Sequence, residues 1–388
     1  MSKNNVLNRN AYWSGVFSVT SCIFLLITSE FMPVSLLTPI AKDLAISEGM
    51  AGQGLTISGI CAVIISLILP TIIGNIDRKI LLLTMTAMMA FSGLIIAQAT
   101  NYPVYMLGRA LIGLVIGGFW SISAAIAIRL VPQDKIAQAL AIFNSGNALA
   151  TTISAPLGSY MSALIGWRWA FFSLAPIAFV ILAWQWVSLP KMPINKGNPA
   201  TKITLSQILN PVVSMGLMAC GLFFMGQFTL FTYIRPFLEK VTRVNVNTLS
   251  FILLIIGISG FIGTLVINKI LQYDLYVLLI TIPLIMAIIA IMLIGIGHYP
   301  IYTTILLAIW GFVATAAPVG WWVWVAKTFP NNAETGGGFM VAIIQFSIAF
   351  GSIIGGIAFD DIHWQANLIL SAMILIMAST LIFRTSRQ

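Results

Sequence analysis

Residues 12–37, YWSGVFSVTSCIFLLITSEFMPVSLL, form an apolar run long enough to cross a bilayer, with a single charge, Glu30, well inside it. A hydrocarbon core about 30 Å thick takes roughly 20 apolar residues in helical form. The run lacks two-residue alternation, which argues for a helix and against a barrel strand. A charge at that depth costs at least a few kcal/mol unless it is paired or hydrated, so an ionisable residue there marks function.

Outward from this run the pattern repeats. Apolar stretches between polar breaks predict twelve spans, over 12–37, 51–73, 80–99, 104–129, 137–162, 170–189, 212–235, 248–268, 275–297, 301–326, 337–359 and 367–383. Only 7% of the 388 residues are charged and 59% are hydrophobic. Soluble domains carry about 25% charged residues. The expected fold class is an all-α membrane protein of twelve transmembrane helices. One basic residue, Arg109, also falls well inside a span.

The net charge of +9 is not a nucleic-acid signature, because of where it lies. With twelve spans the termini share one side. That side holds Lys3, Arg9, Arg78, Lys79, Arg129, Lys135, Lys191, Lys196, Lys202, Lys269, Lys327, Arg384 and Arg387. The other side holds Lys42, Arg168, Arg235, Lys240 and Arg243. The positive-inside rule then predicts cytoplasmic termini in a bacterial inner membrane. The polar N-terminus leads straight into span 1 without a small-residue cleavage site, so a retained helix is expected rather than a signal peptide. Cys22, Cys61 and Cys220 all lie in spans, and no metal-ligand spacing occurs. His298 and His363 fall in loops.

The polar stretch 190–210, PKMPINKGNPATKITLSQILN, is expected to be a cytoplasmic linker between six-helix halves, 1–189 and 211–388. At an offset of 198, Gly113 meets Gly311, Arg129 meets Lys327, Pro132 meets Pro330 and Gly158 meets Gly356. At 197, Glu30-Phe31 meets Gln227-Phe228 and Pro39 meets Pro236. These coincidences fall on spans 1/7, 4/10 and 5/11, as a parallel duplication predicts. Such repeats place a substrate site near the midplane between halves that rock against each other. Glycines 113, 117 and 118, and 351, 355 and 356, make small-residue tracks that suit close packing, whether static or mobile.

Several motifs resemble those of the major facilitator superfamily, specifically its twelve-span drug:proton antiporter group. Asp77-Arg78-Lys79 is similar to an eroded form of the family's loop between spans 2 and 3, with Ile73 where its glycine stands and no later Gly-Arg. Arg109-x3-Gly113-x3-Gly117 matches the fourth-span pattern, and Ala155-Pro156-Leu157-Gly158 resembles the exporters' fifth-span motif. Gly166-Trp167-Arg168-Trp169 is a common loop of the family. Glu30-Phe31-Met32-Pro33-Val34-Ser35-Leu36-Leu37-Thr38-Pro39 resembles the first span of bacterial purine ribonucleoside efflux proteins. The resemblance implies the major facilitator fold, with Asp77 and Arg78 in a conformational-switch loop.

Glu30 lies about seven to nine residues below the remote surface and Arg109 about six, roughly 9–13 Å deep at 1.5 Å per residue. A Glu30–Arg109 pair is therefore expected. Arginine stays protonated, so Glu30 is the group that would exchange a proton. Burial favours the neutral carboxyl and a nearby cation the charged one, so helix movement would change its proton affinity. The alternative is a structural ion pair joining spans 1 and 4.

Polar and aromatic side chains expected to line a substrate cavity are Trp120, Asn144, Asn147, Gln227, Tyr233, Trp321 and Gln345. Amides donate and accept, and aromatic faces suit a flat base. Trp322 and Trp324 read as candidates for an interfacial belt, and Arg235 as an interfacial anchor in preference to an anion-attracting residue. No second intramembrane acid is present to favour a dication.

No G-x4-G-K-[ST] loop and no Ser/His/Asp constellation occurs, so no enzyme activity is expected. The expected function is proton-coupled antiport exporting a small neutral or amphipathic solute. The resemblance makes purine ribonucleosides the leading substrate; multidrug or sugar efflux is the alternative. No cofactor beyond a proton gradient is expected. The expected partners are substrate, protons and lipid, with no nucleic acid, and a monomer. A membrane sensor on a transporter scaffold would need a signalling domain, and the short linker and tail offer none.

Overall fold

The computed structural model describes residues 12–72, 76–132, 135–192, 210–270, 274–329 and 333–387. Most of the expected linker, residues 193–209, lies outside the described residues. Twelve helices among the described residues are long and apolar enough to cross a membrane. Their ends fall within a few residues of the expected boundaries, because apolar length alone sets where a span must start and stop. Capping sharpens several starts: Asp77 accepts from Lys79 N, Asn101 from Val104 N, Asn210 from Val212 N and Asp274 from Tyr276 N. Each cap satisfies an amide that would otherwise lack a partner at the helix start.

The packing of spans 1–6 recurs in spans 7–12. Span 1 packs on 5, span 2 on 4 and span 3 on 6; span 7 packs on 11, span 8 on 10 and span 9 on 12. The buried apolar side chains form two clusters, one centred on residues 16–192 and the other on 217–382. Between these sets, span 2 lies along span 11 and span 5 along span 8. Glycine permits the approach: a Cβ on Gly257 of span 8 would collide with the Thr152 backbone of span 5.

Spans 1 and 7 are both broken. Span 1 runs over Trp13–Phe31, tightens to a 3-10 turn at Met32–Ser35, and resumes at Leu37–Leu44. Span 7 runs over Pro211–Phe231 and resumes at Ile234–Lys240. The non-helical residues at the two breaks, Leu36 and Tyr233, are separated by the 197 positions of the sequence repeat. Pro33 contributes in span 1: it has no N–H, so the carbonyl of Ser29, four residues back, loses its helical partner.

Candidate functional site

The orphaned carbonyl of Ser29 is taken by Arg109. From span 4, its Nη1 donates to Ser29 O at 2.8 Å, Nη2 to Glu30 O at 3.2 Å and Nε to Gly54 O at 3.1 Å. Arg109 is fully buried, and its own carbonyl accepts from Ser58 Oγ at 2.8 Å. The guanidinium thus ties spans 1, 2 and 4 together through backbone dipoles.

This corrects the expected Glu30–Arg109 ion pair. Arg109 meets the backbone of Glu30 and no ion pair joins the two side chains among the described residues. The Glu30 carboxylate turns instead toward span 11, where Gln345 Nε2 donates to its Oε1 at 3.2 Å. Both side chains are buried, 5% and 7% exposed. A buried carboxylate therefore meets an amide across the interface between spans 1–6 and 7–12.

Every hydrogen bond across that interface among the described residues lies between the bundle's middle and the end remote from the termini. Thr56 Oγ1 donates to Ala349 O at 3.2 Å, and Ser352 Oγ to Gly52 O at 3.1 Å. Asp360 accepts from Gly49 N at 2.8 Å, and Lys240 pairs with Glu48 at 2.9 Å. On the other seam Thr152 Oγ1 donates to Gly257 O at 3.2 Å, and Ser250 meets Ser159 at 2.8 Å. Phe31 stacks on Phe228 with centroids 5.7 Å apart. The remote end is sealed.

Four other expectations change here. Tyr233 is buried, donates to Ser352 O at 2.8 Å and stacks on Phe359, so it belongs to the remote seal and not to a cavity wall. Trp321 is buried between Phe223 and Trp324, inside the second apolar cluster. Trp324 is likewise buried and is no belt residue, while Trp322 is exposed. Arg235, read as an anchor, is 4% exposed; it donates to the Ser35 carbonyl of span 1 and pairs with Glu239 at 2.8 Å.

Trp120 is half-buried and meets Phe119 edge-on. Asn144 is exposed and Asn147 half-buried, and neither side chain makes a hydrogen bond among the described residues. Gln227 is half-buried and its Oε1 is shut away without a partner. At the opposite end Asp77 accepts from Met192 N at 2.9 Å, and Arg78 N donates to Met192 O at 3.3 Å. Arg129 Nη1 shares that carbonyl at 2.7 Å. The loop thus fastens the start of span 3 to the chain leaving span 6. Sequence reasoning missed the Arg235 and Asp360 contacts; the one available signal was a charge beside each span end.

The fold is that of a membrane transporter. A solved D-xylose-proton symporter superposes with a TM-score of 0.78, covering 97% of this chain and 98% of that one at 15% identity. Residues 19–348 match the sequence model of the Major Facilitator Superfamily, and the chain belongs to that family of transporters; it is not an enzyme. Among similar proteins, the purine ribonucleoside efflux pump NepI of Escherichia coli O6:H1 is 37% identical, covering 95% of this chain and 93% of its own. The transcription regulatory protein OpdE of Pseudomonas aeruginosa is 53% identical, covering 97% and 94%.

Proposed function

We propose that this protein is a proton-coupled antiporter of the bacterial inner membrane, with cytoplasmic termini, that exports purine ribonucleosides or closely similar neutral solutes. The observation that carries the reading is the buried Glu30 carboxylate, which sits on the interface between the two sets of helices and has an amide rather than a cation as its side-chain partner. A group so placed gains or loses a proton only when one side of the interface opens to water, which is what coupling requires. The similarity to NepI supports the substrate class, and the amides of Asn147 and Gln227 supply donors and acceptors for a heterocycle. With cytoplasmic termini, a seal at the remote end makes this the inward-facing state.

The test is uptake of labelled inosine into everted vesicles. An imposed pH gradient, acid inside, should drive accumulation, and a protonophore should abolish it. Accumulation of drugs or sugars but of no nucleoside would reassign the substrate; nucleoside uptake indifferent to the gradient would overturn the coupling.

The similarity to OpdE favours a second reading, a transporter-like membrane sensor that changes transcription. In that case deleting the gene changes transcript levels, and E30Q, blocked in transport, restores them.

A further inference from the structure

We propose that the Glu30–Gln345 hydrogen bond is a lock on the empty, unprotonated carrier. It is released either by a proton on Glu30 or by a solute that takes the Gln345 amide. This rests on the proton-coupled reading above and assigns Gln345 the part of a residue shared between proton site and substrate site.

The geometry supports a lock at this position. Gln345 stands at the inner end of the seam between spans 2 and 11. From there outward, the Ala349 carbonyl accepts from Thr56, Ser352 donates to Gly52, and Asp360 caps Gly49. A Cβ on Gly59 would stand 2.8 Å from both Gln345 O and the Ala349 Cβ, so the two helices are in backbone contact at Gln345 itself. Whatever moves Gln345 moves the inner end of the remote seal.

The chemistry makes the lock sensitive to charge. An amide N–H held by an ionised carboxylate is roughly twice as strong as one held by a neutral acceptor. Adding a proton to Glu30 from water removes the charge and weakens the bond. No charged group forms an ion pair with Glu30 among the described residues. Arg109, the cation beside Glu30, is engaged with the carbonyls of Ser29, Glu30 and Gly54, and Tyr105 of span 4 faces Ala51 O. Arg235 is held by Glu239 and Ser35 O, and Arg168 by Asp43. Lys79 is held by the carbonyls of Trp186 and Leu189 at the terminus end. Arg78 lies at that same end, beside Arg129 and Met192.

The repeat shows that the lock is one-sided. The positions matching Glu30 and Gln345 in the other seam are Gln227, 197 residues after Glu30, and Asn147, 198 before Gln345. That pair has no carboxylate, makes no hydrogen bond among the described residues, and leaves Gln227 Oε1 unpartnered. Gln345, whose amide Glu30 holds, is by the repeat the counterpart of Asn147 and is the group of the opposite seam that a solute would have to take to release the lock. An exchanger must forbid the empty, unprotonated carrier from turning over, since that transition dissipates the gradient. A bond that only a proton or a solute releases enforces that rule.

The test uses spin labels at K42C and N247C, on the remote face of each half, with the three native cysteines replaced by alanine. In wild type the remote end should be closed at alkaline pH without solute. It should open several-fold more often on acidification or on adding inosine. Q345L, and the near-isosteric Q345M in case the leucine variant folds poorly, should be open at alkaline pH to the wild-type acid level and respond to neither. Vesicles carrying either variant should equilibrate inosine without concentrating it, and Q345N should partly restore both responses. A Q345M or Q345L protein with wild-type responses overturns the lock while E30Q remains pH-insensitive, leaving the coupling role of Glu30 intact. A wild-type protein insensitive to pH overturns the coupling itself.

Discussion

Arg109 Nη1 lies 2.8 Å from the carbonyl of Ser29, in the place an amide hydrogen of residue 33 would fill if that residue were not proline. A buried cation is thus solvated by three backbone carbonyls, one of which a proline has exposed. The same guanidinium holds the kink of span 1 against spans 2 and 4 and bonds the backbone of Glu30, whose carboxylate meets Gln345.

This arrangement makes Arg109 first a matter of stability. Arg109→Ala strands the buried Ser29 carbonyl, at about 1–3 kcal/mol, and removes the charge-assisted bonds to Glu30 O and to Gly54 O, the latter still accepting from Ser58 Oγ. The expected outcome is a loss of about 2–5 kcal/mol, read as a lowered melting temperature in detergent. Arg109→Lys should recover only part of it, since an ammonium lacks the planar fork that reaches three carbonyls. Wild-type melting of Arg109→Ala would show that the clamp contributes nothing.

Glu30→Gln should leave folding intact, because the new amide accepts from Gln345 as the carboxylate does. Uphill export should vanish and solute exchange down its gradient should persist. Concentrative, gradient-driven transport by this variant would remove Glu30 from the coupling role.

Gly59→Val should prevent the remote end from closing. The added Cβ alone would meet Gln345 O and Ala349 Cβ at 2.8 Å, and both belong to the packed span 11 rather than to a flexible tip. Alkylation of a cysteine placed within the seam, such as S352C, should become faster than in the parent. Unchanged labelling would mean the seam opens by some other movement.

Trp321→Ala and Gln227→Ala should separate core from site. The tryptophan variant should lose about 3–5 kcal/mol of stability, as large core truncations do. The glutamine variant should keep its melting temperature and lose several-fold in inosine affinity, at about 0.5–1.5 kcal/mol for one hydrogen bond. The reverse result would put Trp321 in contact with the solute.

Span number and boundaries, and the identity of the two deeply buried charges Glu30 and Arg109, were legible in the sequence. Each follows from a local free-energy cost: apolar length against bilayer thickness, and charge against hydrocarbon. The offset of 197 likewise anticipated the matching breaks at Leu36 and Tyr233. What faces what was not legible. The spans are apolar on nearly all sides, so periodicity does not mark which face meets protein and which meets lipid. Only the packed helices could show that Arg109 turns to backbone carbonyls, that Tyr233 and Arg235 join the remote seal, and that Trp321 lies in the core. The partner of Glu30 is the clearest case. Arg109 and Gln345 both lie within plausible depth, but Pro33 frees a carbonyl that draws the guanidinium away, and the close contact of spans 2 and 11 brings the amide to the carboxylate. Sequence determines which charges enter the membrane; the distant contacts of a packed bundle decide how each is satisfied.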